Sequence, residues 1–392
     1  MTTPAEPGST SSAPEWWIFH GTGQPRPHLD LAAQLPPPPR WRTYGGGPDP
    51  AETGADPPFY DPGPRAESPA AESERHLGPV RPWSFPIPLG PHRRQLLDKV
   101  NAAICLRRPL LLVGPPGIGK SSLAHQISRE LGLGRVLRWA VTSRSTVRDG
   151  LYAYDPLTQI HDLNLENARN RALGARDRRY ASADGTEADA HLRSSAESIG
   201  RYLTLGPLGT AFLPTRLPRV LLVDDFDLGD FDLPGDLLDL FENGGYTVPE
   251  LGRLANVAER IRVATDDPGR TAAVERGEVL CSAFPVTVVT CNDDRDLPPA
   301  FLRRCIPVRM GLPDEDELVA AVAGHFDGDP PTGTRTLVTE FLRRSADGHG
   351  LAVDQLLNAV HLVGAMGQGE PGPEQVRHLS DLLWHRLTET PG

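Results

Sequence analysis

Lysine is nearly absent from this chain: of its 40 Lys and Arg residues only Lys99 and Lys120 are lysines. Such a skew follows more simply from GC-rich coding than from protein physics, so a surviving ammonium marks a place where arginine would not serve. No run of about 18 apolar residues occurs, which excludes a membrane-spanning helix. The N-terminal MTTPAEPGST has no basic region followed by an apolar one, so no secretory signal is read and a cytoplasmic protein is expected. Four cysteines without a C-x-x-C pair exclude a disulfide framework and a zinc ribbon. The twelve histidines lack the H-E-x-x-H spacing of a metal site. A formal charge of −11 offers little counterion release, so nucleic acid is a disfavoured partner.

Proline and glycine, in contrast, are abundant at 41 and 39 of 392 residues, and 20 of the prolines precede residue 91. Residues 1–79 show neither a helical nor a strand period and read as a Pro-rich, largely disordered region without secondary structure. Two aromatic islands interrupt it, Glu15–Gly23 (EWWIFHGTG) and Pro36–Tyr44 (PPPPRWRTY). Disordered segments are usually aromatic-poor, so these islands are expected to dock on the core or on a partner.

From Val80 the texture changes. Leu96, Leu97, Val100, Ala103 and Ile104 share one helical face over 92–106. Apolar runs at Leu110–Val113, Leu137–Val141, Val220–Val223, Val286–Thr290 and Ile306–Met310 read as buried strands with helical stretches between them. That alternation predicts an α/β fold with a parallel five-stranded sheet covered by helices on both faces. After Leu312 the pattern is helical only, predicting a small all-helical domain over 312–392, while the core spans 80–311. The polar, irregular stretch at about 167–197 reads as a surface insertion within that core.

Gly114-Pro115-Pro116-Gly117-Ile118-Gly119-Lys120-Ser121 matches G-x-x-x-x-G-K-[ST], after an apolar strand and before an amphipathic helix that begins Ser121-Ser122. Glycines let the backbone curl so that its N–H groups face phosphates. Lys120 supplies a compact cation to the β- and γ-phosphates, and the Ser121 hydroxyl reaches Mg²⁺. One of only two lysines stands here, and the loop is expected to bind a nucleoside triphosphate. Asp224, at the tip of the Val220–Val223 run, is the expected second metal-side group. Asp225 follows it, one methylene shorter than the Glu that usually polarises the attacking water. The acidic stretch 224–236 is not a calcium loop, because registers from Asp224 or Asp230 put Gly235 or Phe241 where the bidentate Glu belongs.

These motifs together resemble an AAA+ ATPase of the MoxR-like branch over Val80–Gly392. The anchors are GPPGIGKS (Gly114–Ser121), LGPLG (Leu205–Gly209), VLLVDDFD (Val220–Asp227) and VTVVTCNDDRDLPPAFLRRC (Val286–Cys305). The resemblance implies a P-loop three-layer αβα core with a helical lid, using ATP and Mg²⁺. It makes Asn292 the sensor that holds the lytic water beside Asp225, although a turn-forming Asn after a strand would read the same. It makes Arg304 the arginine finger offered to a neighbouring subunit, with Arg303 in reserve; a surface pair at a helix end is the bland alternative. Where the lid would carry a sensor arginine, this chain has Asp354, so either the role is lost or another arginine, such as Arg343 or Arg344, takes it. Asp149–Asn164, with Tyr152, Tyr154 and Leu157, matches an insert near the ring axis, either gripping a client or packing the insert. Tyr246–Val248 resembles a strand of a hairpin that precedes the sensor.

The resemblance thus implies a homo-oligomer, a hexameric ring, that hydrolyses ATP and remodels a client protein bearing a von Willebrand factor A domain. The alternative is a slow-turnover, nucleotide-gated switch that recruits a partner through the Trp-rich tail. Asp225 and Asp354 favour it, since both depart from the hydrolytic pattern.

Overall fold

In the computed structural model, Leu110–Val113 (β1) is an interior strand of a parallel sheet whose three inner strands are largely buried. The described residues are 13–47, 59–63, 68–80, 90–174, 198–292, 296–326, 333–346, 351–366, 374, 378 and 381–384. Val136–Ala140 is β2, Val220–Asp224 β5, Val286–Cys291 β10 and Ile306–Arg309 β11. Their order across the sheet is β11-β1-β10-β5-β2, all parallel, with Leu110 beside both Val288 and Ile306.

Side chains alternate faces along a strand, and the core divides accordingly. Leu110, Leu112, Val220, Leu222 and Val288 join one apolar cluster with the Pro91–Leu106 and Lys120–Leu131 helices. Leu111, Leu221, Val223 and Val289 join another, with the Pro207–Ala211 and Leu233–Asn243 helices and Phe301. The result is the parallel sheet covered by helices on both faces that the strand–helix alternation predicted, and the three-layer αβα core that the resemblance implied.

A second sheet, absent from the sequence reading apart from its 246–248 strand, flanks this core. Tyr152–Tyr154 (β3), Leu203–Leu205 (β4), Gly245–Thr247 (β6), Arg260–Ala264 (β7), Thr271–Glu275 (β8) and Glu278–Leu280 (β9) run in the order β3-β4-β7-β8-β9-β6. Arg276 and Gly277 both have positive φ and join β8 to β9 in two residues, the geometry of a type I′ hairpin turn. Tyr152 is buried in this sheet's own core, whereas Leu157 and Ile160 on the Pro156–Gly174 helix are exposed. Tyr152 therefore packs the insert, and Leu157 does not. Of the expected insertion, residues 167–174 continue that helix and 175–197 lie outside the described residues.

The C-terminal region is helical: Glu315–His325, Thr334–Arg344 and Val353–Met366 enclose Leu318, Leu337, Phe341, Leu356 and Val360. Asp314 and Glu317 form a reciprocal capping box that fixes the first helix start. Most of the fourth helical stretch expected around Val376–Leu387 lies outside the described residues; Trp384 packs edge-on against Phe341. Among the described residues no helix is long and apolar enough to cross a membrane.

The described parts of the N-terminal region wrap this core. Trp17, Ile18 and Phe19 enter the first cluster, and Trp17 Nε1 donates to Asp98 at 2.9 Å. The wholly buried Asn101 accepts from the Ile18 and Phe19 amides at 2.7 and 2.9 Å and donates to Phe19 O and Leu97 O. The equally buried Glu130 accepts from His20 N at 2.6 Å, Thr22 N at 2.7 Å and Thr22 Oγ1 at 2.8 Å. The second island crosses the opposite face, where Arg42 Nη1 and the Tyr44 hydroxyl both donate to Phe241 O. Tyr60 donates to Asp267, which also holds the buried Arg219 through two hydrogen bonds. Both islands contact their own core, through Trp17 to Thr22 and through Arg42 and Tyr44, while Trp16 and Trp41 stay exposed. Contrary to the expectation of no secondary structure, short helices form at Leu31–Gln34, capped by the Asp30 side chain, and at Ser68–Leu77. Such short pieces show no helical period in the sequence, and their stability comes from docking.

Candidate functional site

The C-terminal ends of the parallel strands gather around one loop. β1 delivers Gly114–Gly119 at its C-terminal end, and the Gly114 amide donates to Cys291 O at 3.2 Å. Gly117 and Gly119 have φ of 75° and 88°, the left-handed region where a side chain is strained. The curl exposes Pro115, Pro116 and Gly117 while Ile118 is buried as its anchor. The helix then starts at Lys120, so its free N–H groups face the loop.

Lys120 is buried, and its ammonium donates to Gly114 O and Pro115 O at 2.7 Å each and to Asn292 Oδ1 at 2.8 Å. Burial lowers its pKa, opposed by Asp227 and Asp225. Ser121 Oγ donates to Asp224 Oδ1 at 2.7 Å, with Ser122 half-buried beside it in the first turn. Thr290 Oγ1 donates to the same oxygen at 2.8 Å and accepts from the Asp225 amide at 2.9 Å. Arg138 Nε and Nη2 donate to Asp224 Oδ2 at 2.9 and 2.7 Å. Burial pushes the Asp224 carboxyl up, but hydrogen bonds from Ser121, Thr290 and Arg138 outweigh it and hold the pKa below its ordinary value.

Asp225 sits at φ 56°, a left-handed conformation that Asp tolerates better than most side chains. Burial, then the charges of Asp224 and Asp227, raise its pKa. Asn292 is held on both its backbone and its side chain: its amide donates to Asp227 Oδ1 at 3.0 Å and its Nδ2 to Asp227 Oδ2 at 3.2 Å. Lys120, Ser121, Asp224, Asp225 and Asn292 are thus brought together. Thr290, Asp227 and Arg138 belong to the same network and were missed by the sequence reading. Asp227, in the DDFD run, and Thr290, two residues before Asn292, were open to inspection; nothing local marks Arg138.

Arg303 and Arg304 lie elsewhere. They precede Ile306, which is paired with Leu110, so they stand at the N-terminal end of β11 while the loop follows the C-terminal end of β1. Four strand residues separate the two ends, about 10–13 Å. Arg304 pairs with Glu242 and donates to Ala300 O at 3.1 Å, whereas Arg303 is exposed. Neither touches its own loop.

The C-terminal helical region packs against the other side of the loop. Val353 N donates to Gly117 O at 2.8 Å, and a Cβ on Gly117 would collide with Ala352. Between them lies a cavity of ≈ 520 Å³ lined by Pro116, Gly117, Asp354, Gln355 and Asn358 among others. Arg343 and Arg344 do not line it; both pair with Glu340, and Arg344 also pairs with Asp381.

A curled loop with a buried ammonium suits a polyphosphate. The Ser121 hydroxyl and Asp224 carboxylate, 2.7 Å apart, form the hard oxygen pair that suits Mg²⁺, which takes its other ligands from phosphates and water. Cys291 and Cys305 are buried core thiols, as expected, and burial pushes Cys305 up to about 12.

The profile of the AAA domain (dynein-related subfamily) matches residues 109–305, from the start of β1 to the start of β11. The chain belongs to this AAA family. No curated protein matches the sequence significantly. Similar solved structures include the RuvB Holliday junction branch migration motor of Thermotoga maritima, at 13% identity and TM-score 0.34, covering 74% of this chain and 68% of that one. A point variant of that motor gives 13% and 0.33 over the same shares. A structure from Cytophaga hutchinsonii gives 12% and 0.29 over 64% of this chain and 54% of that one.

Proposed function

We propose that this AAA protein binds ATP with Mg²⁺ at Gly114–Ser122 and hydrolyses it as a subunit of a cytoplasmic, MoxR-type ring that remodels a partner protein. The observation that carries the reading is the convergence of Lys120, Ser121, Asp224 and Asn292 on one glycine-curled loop. The same reading divides the chain into a tail over 1–79, a nucleotide-binding core over 80–311 and a lid over 312–392.

Loop amides and Lys120 hold the β- and γ-phosphates, the ammonium exchanging its carbonyl partners for phosphate oxygens. Ser121 and Asp224 hold Mg²⁺, which supplies neutralisation of charge on the phosphates when bound. Asn292, steadied by Asp227, orients the attacking water, and Asp225 takes its proton as the bond to the γ-phosphorus forms and the bond to ADP breaks. Arg304 of a second copy, or Arg303 beside it, neutralises the developing charge. Its place at the N-terminal end of β11, away from its own loop, supports action in trans. The client class that the MoxR resemblance implies is a protein with a von Willebrand factor A domain.

A slow-turnover switch is the second reading, favoured by the short Asp225 side chain and by Asp354 in the cavity beside Gly117. Burial of Trp17 and anchoring of Tyr44 count against a free recruiting tail. Turnover measured against protein concentration separates the two. A rate per subunit that climbs with concentration, and vanishes in Lys120→Ala and Arg304→Ala, supports the ring ATPase. Tight ATP binding with negligible turnover at every concentration rejects it.

A further inference from the structure

Every acceptor direction of the Asp224 carboxylate is filled by the protein itself. Ser121 and Thr290 share Oδ1, and two N–H groups of Arg138 share Oδ2. An ionised carboxylate has about four such directions, so a metal-bound water can reach Asp224 only by displacing a donor. The two hydroxyls can turn aside and accept instead, but a guanidinium can only donate.

The pair is also lopsided. The Asp224 side chain is 6% exposed and that of Arg138 48%, so the arginine, on edge strand β2, can withdraw into water. A buried carboxylate left without a cation would be strongly unfavourable; one cation must arrive as the other leaves. His125, one turn beyond Ser121, stacks on His76 of the Ser68–Leu77 helix at 4.0 Å. Both imidazoles feel the Arg138 charge, and burial, then His76 and Arg138, hold His125 down to about 3. Asp225, next to Asp224, also feels the Arg138 charge.

We propose that Arg138 is a resident counter-ion of the metal-binding carboxylate, competing with Mg²⁺ for Asp224 and raising the Mg²⁺ concentration needed to capture nucleotide. The inference rests on the reading of Ser121 and Asp224 as the metal-side groups of a triphosphate site. Arg138 is a positioning residue in this scheme and touches no phosphate.

The test is a Mg²⁺ titration of fluorescent ATP-analogue binding to the full chain, wild type against Arg138→Gln and Arg138→Lys. The expected result is a Mg²⁺ midpoint lowered about fivefold in Arg138→Gln, the effect of losing a half-exposed ion pair. Lysine, which cannot fork onto one oxygen, should fall between. Binding in EDTA should be equal in all three, and Mn²⁺ binding to the nucleotide-loaded protein, followed by electron paramagnetic resonance, should tighten in parallel. Unchanged midpoints overturn the proposal while leaving the nucleotide site intact. Binding weakened equally with and without metal overturns it in favour of a phosphate contact. Absence of nucleotide binding to the wild type at any Mg²⁺ concentration defeats the triphosphate reading itself. If Arg138→Gln does not fold, as judged by circular dichroism, the lysine variant decides alone, an unlowered midpoint overturning the proposal.

Discussion

Glu130→Gln is a change of one atom that should free the N-terminal strap from the core. The native carboxylate is wholly buried at the end of the Lys120–Leu131 helix, and its two oxygens receive three donors from His20 and Thr22. Glutamine keeps one acceptor oxygen and turns an NH₂ toward at least one backbone N–H. Each hydrogen bond to a charged group contributes about 1.5–3 kcal/mol, and an unsatisfied buried donor costs about 1–3 kcal/mol. Loss of one such bond, together with the facing donors, gives about 3 kcal/mol, or roughly 100-fold in the equilibrium between docked and released strap. Hydrogen exchange of the peptide spanning residues 17–24 reads that equilibrium directly, because undocking exposes the His20 and Thr22 amides. Exchange there should quicken by about two orders of magnitude, while peptides from β1, β5 and β10 stay protected. Unchanged protection at 17–24 would refute the claim that Glu130 holds the strap.

Arg304→Ala should abolish turnover yet leave nucleotide affinity within about twofold, because the residue stands at the opposite end of the sheet from the loop; equilibrium binding beside a phosphate-release assay checks both. Gly117→Ala should weaken nucleotide binding by about tenfold or more without unfolding the chain, since the added methyl meets Ala352 and φ 75° strains any side chain; calorimetric titration reads it. His125 is neutral in the folded state, with a pKa near 3 against an ordinary value of 6.5. Its contribution is therefore intact above pH 6.5 and is lost as pH falls toward 3, at a rate of at most about 1.4 kcal/mol per pH unit. Melting temperature against pH should show a shallower acid decline in His125→Phe than in the wild type.

Much of the site was legible because its chemistry is local. A backbone that cradles phosphates needs glycines and one ammonium within a few consecutive residues, and Gly114–Ser121 supplies them in order. Asp224 and Asn292 were legible for a related reason: parallel strands bring their C-terminal ends together, so a polar residue at the tip of an apolar run points to the loop. The flanking sheet was only partly read, although Arg260–Ala264 alternates and Arg276-Gly277 forms a two-residue turn. Its strands are three to five residues long, too short for the period to stand out from the surrounding loops.

The sequence by itself therefore determined the strand–helix alternation, the phosphate loop and the helical region after it, since each is a pattern of neighbours along the chain. Tertiary structure alone decided that Asn101 and Glu130 seize a strap about 80 to 110 positions away. It alone also set Arg138 against Asp224 and Arg304 at the far end of the sheet from Lys120. Those outcomes depend on which buried groups find partners when distant segments meet, and a side chain's partner across the fold leaves no trace in the residues next to it.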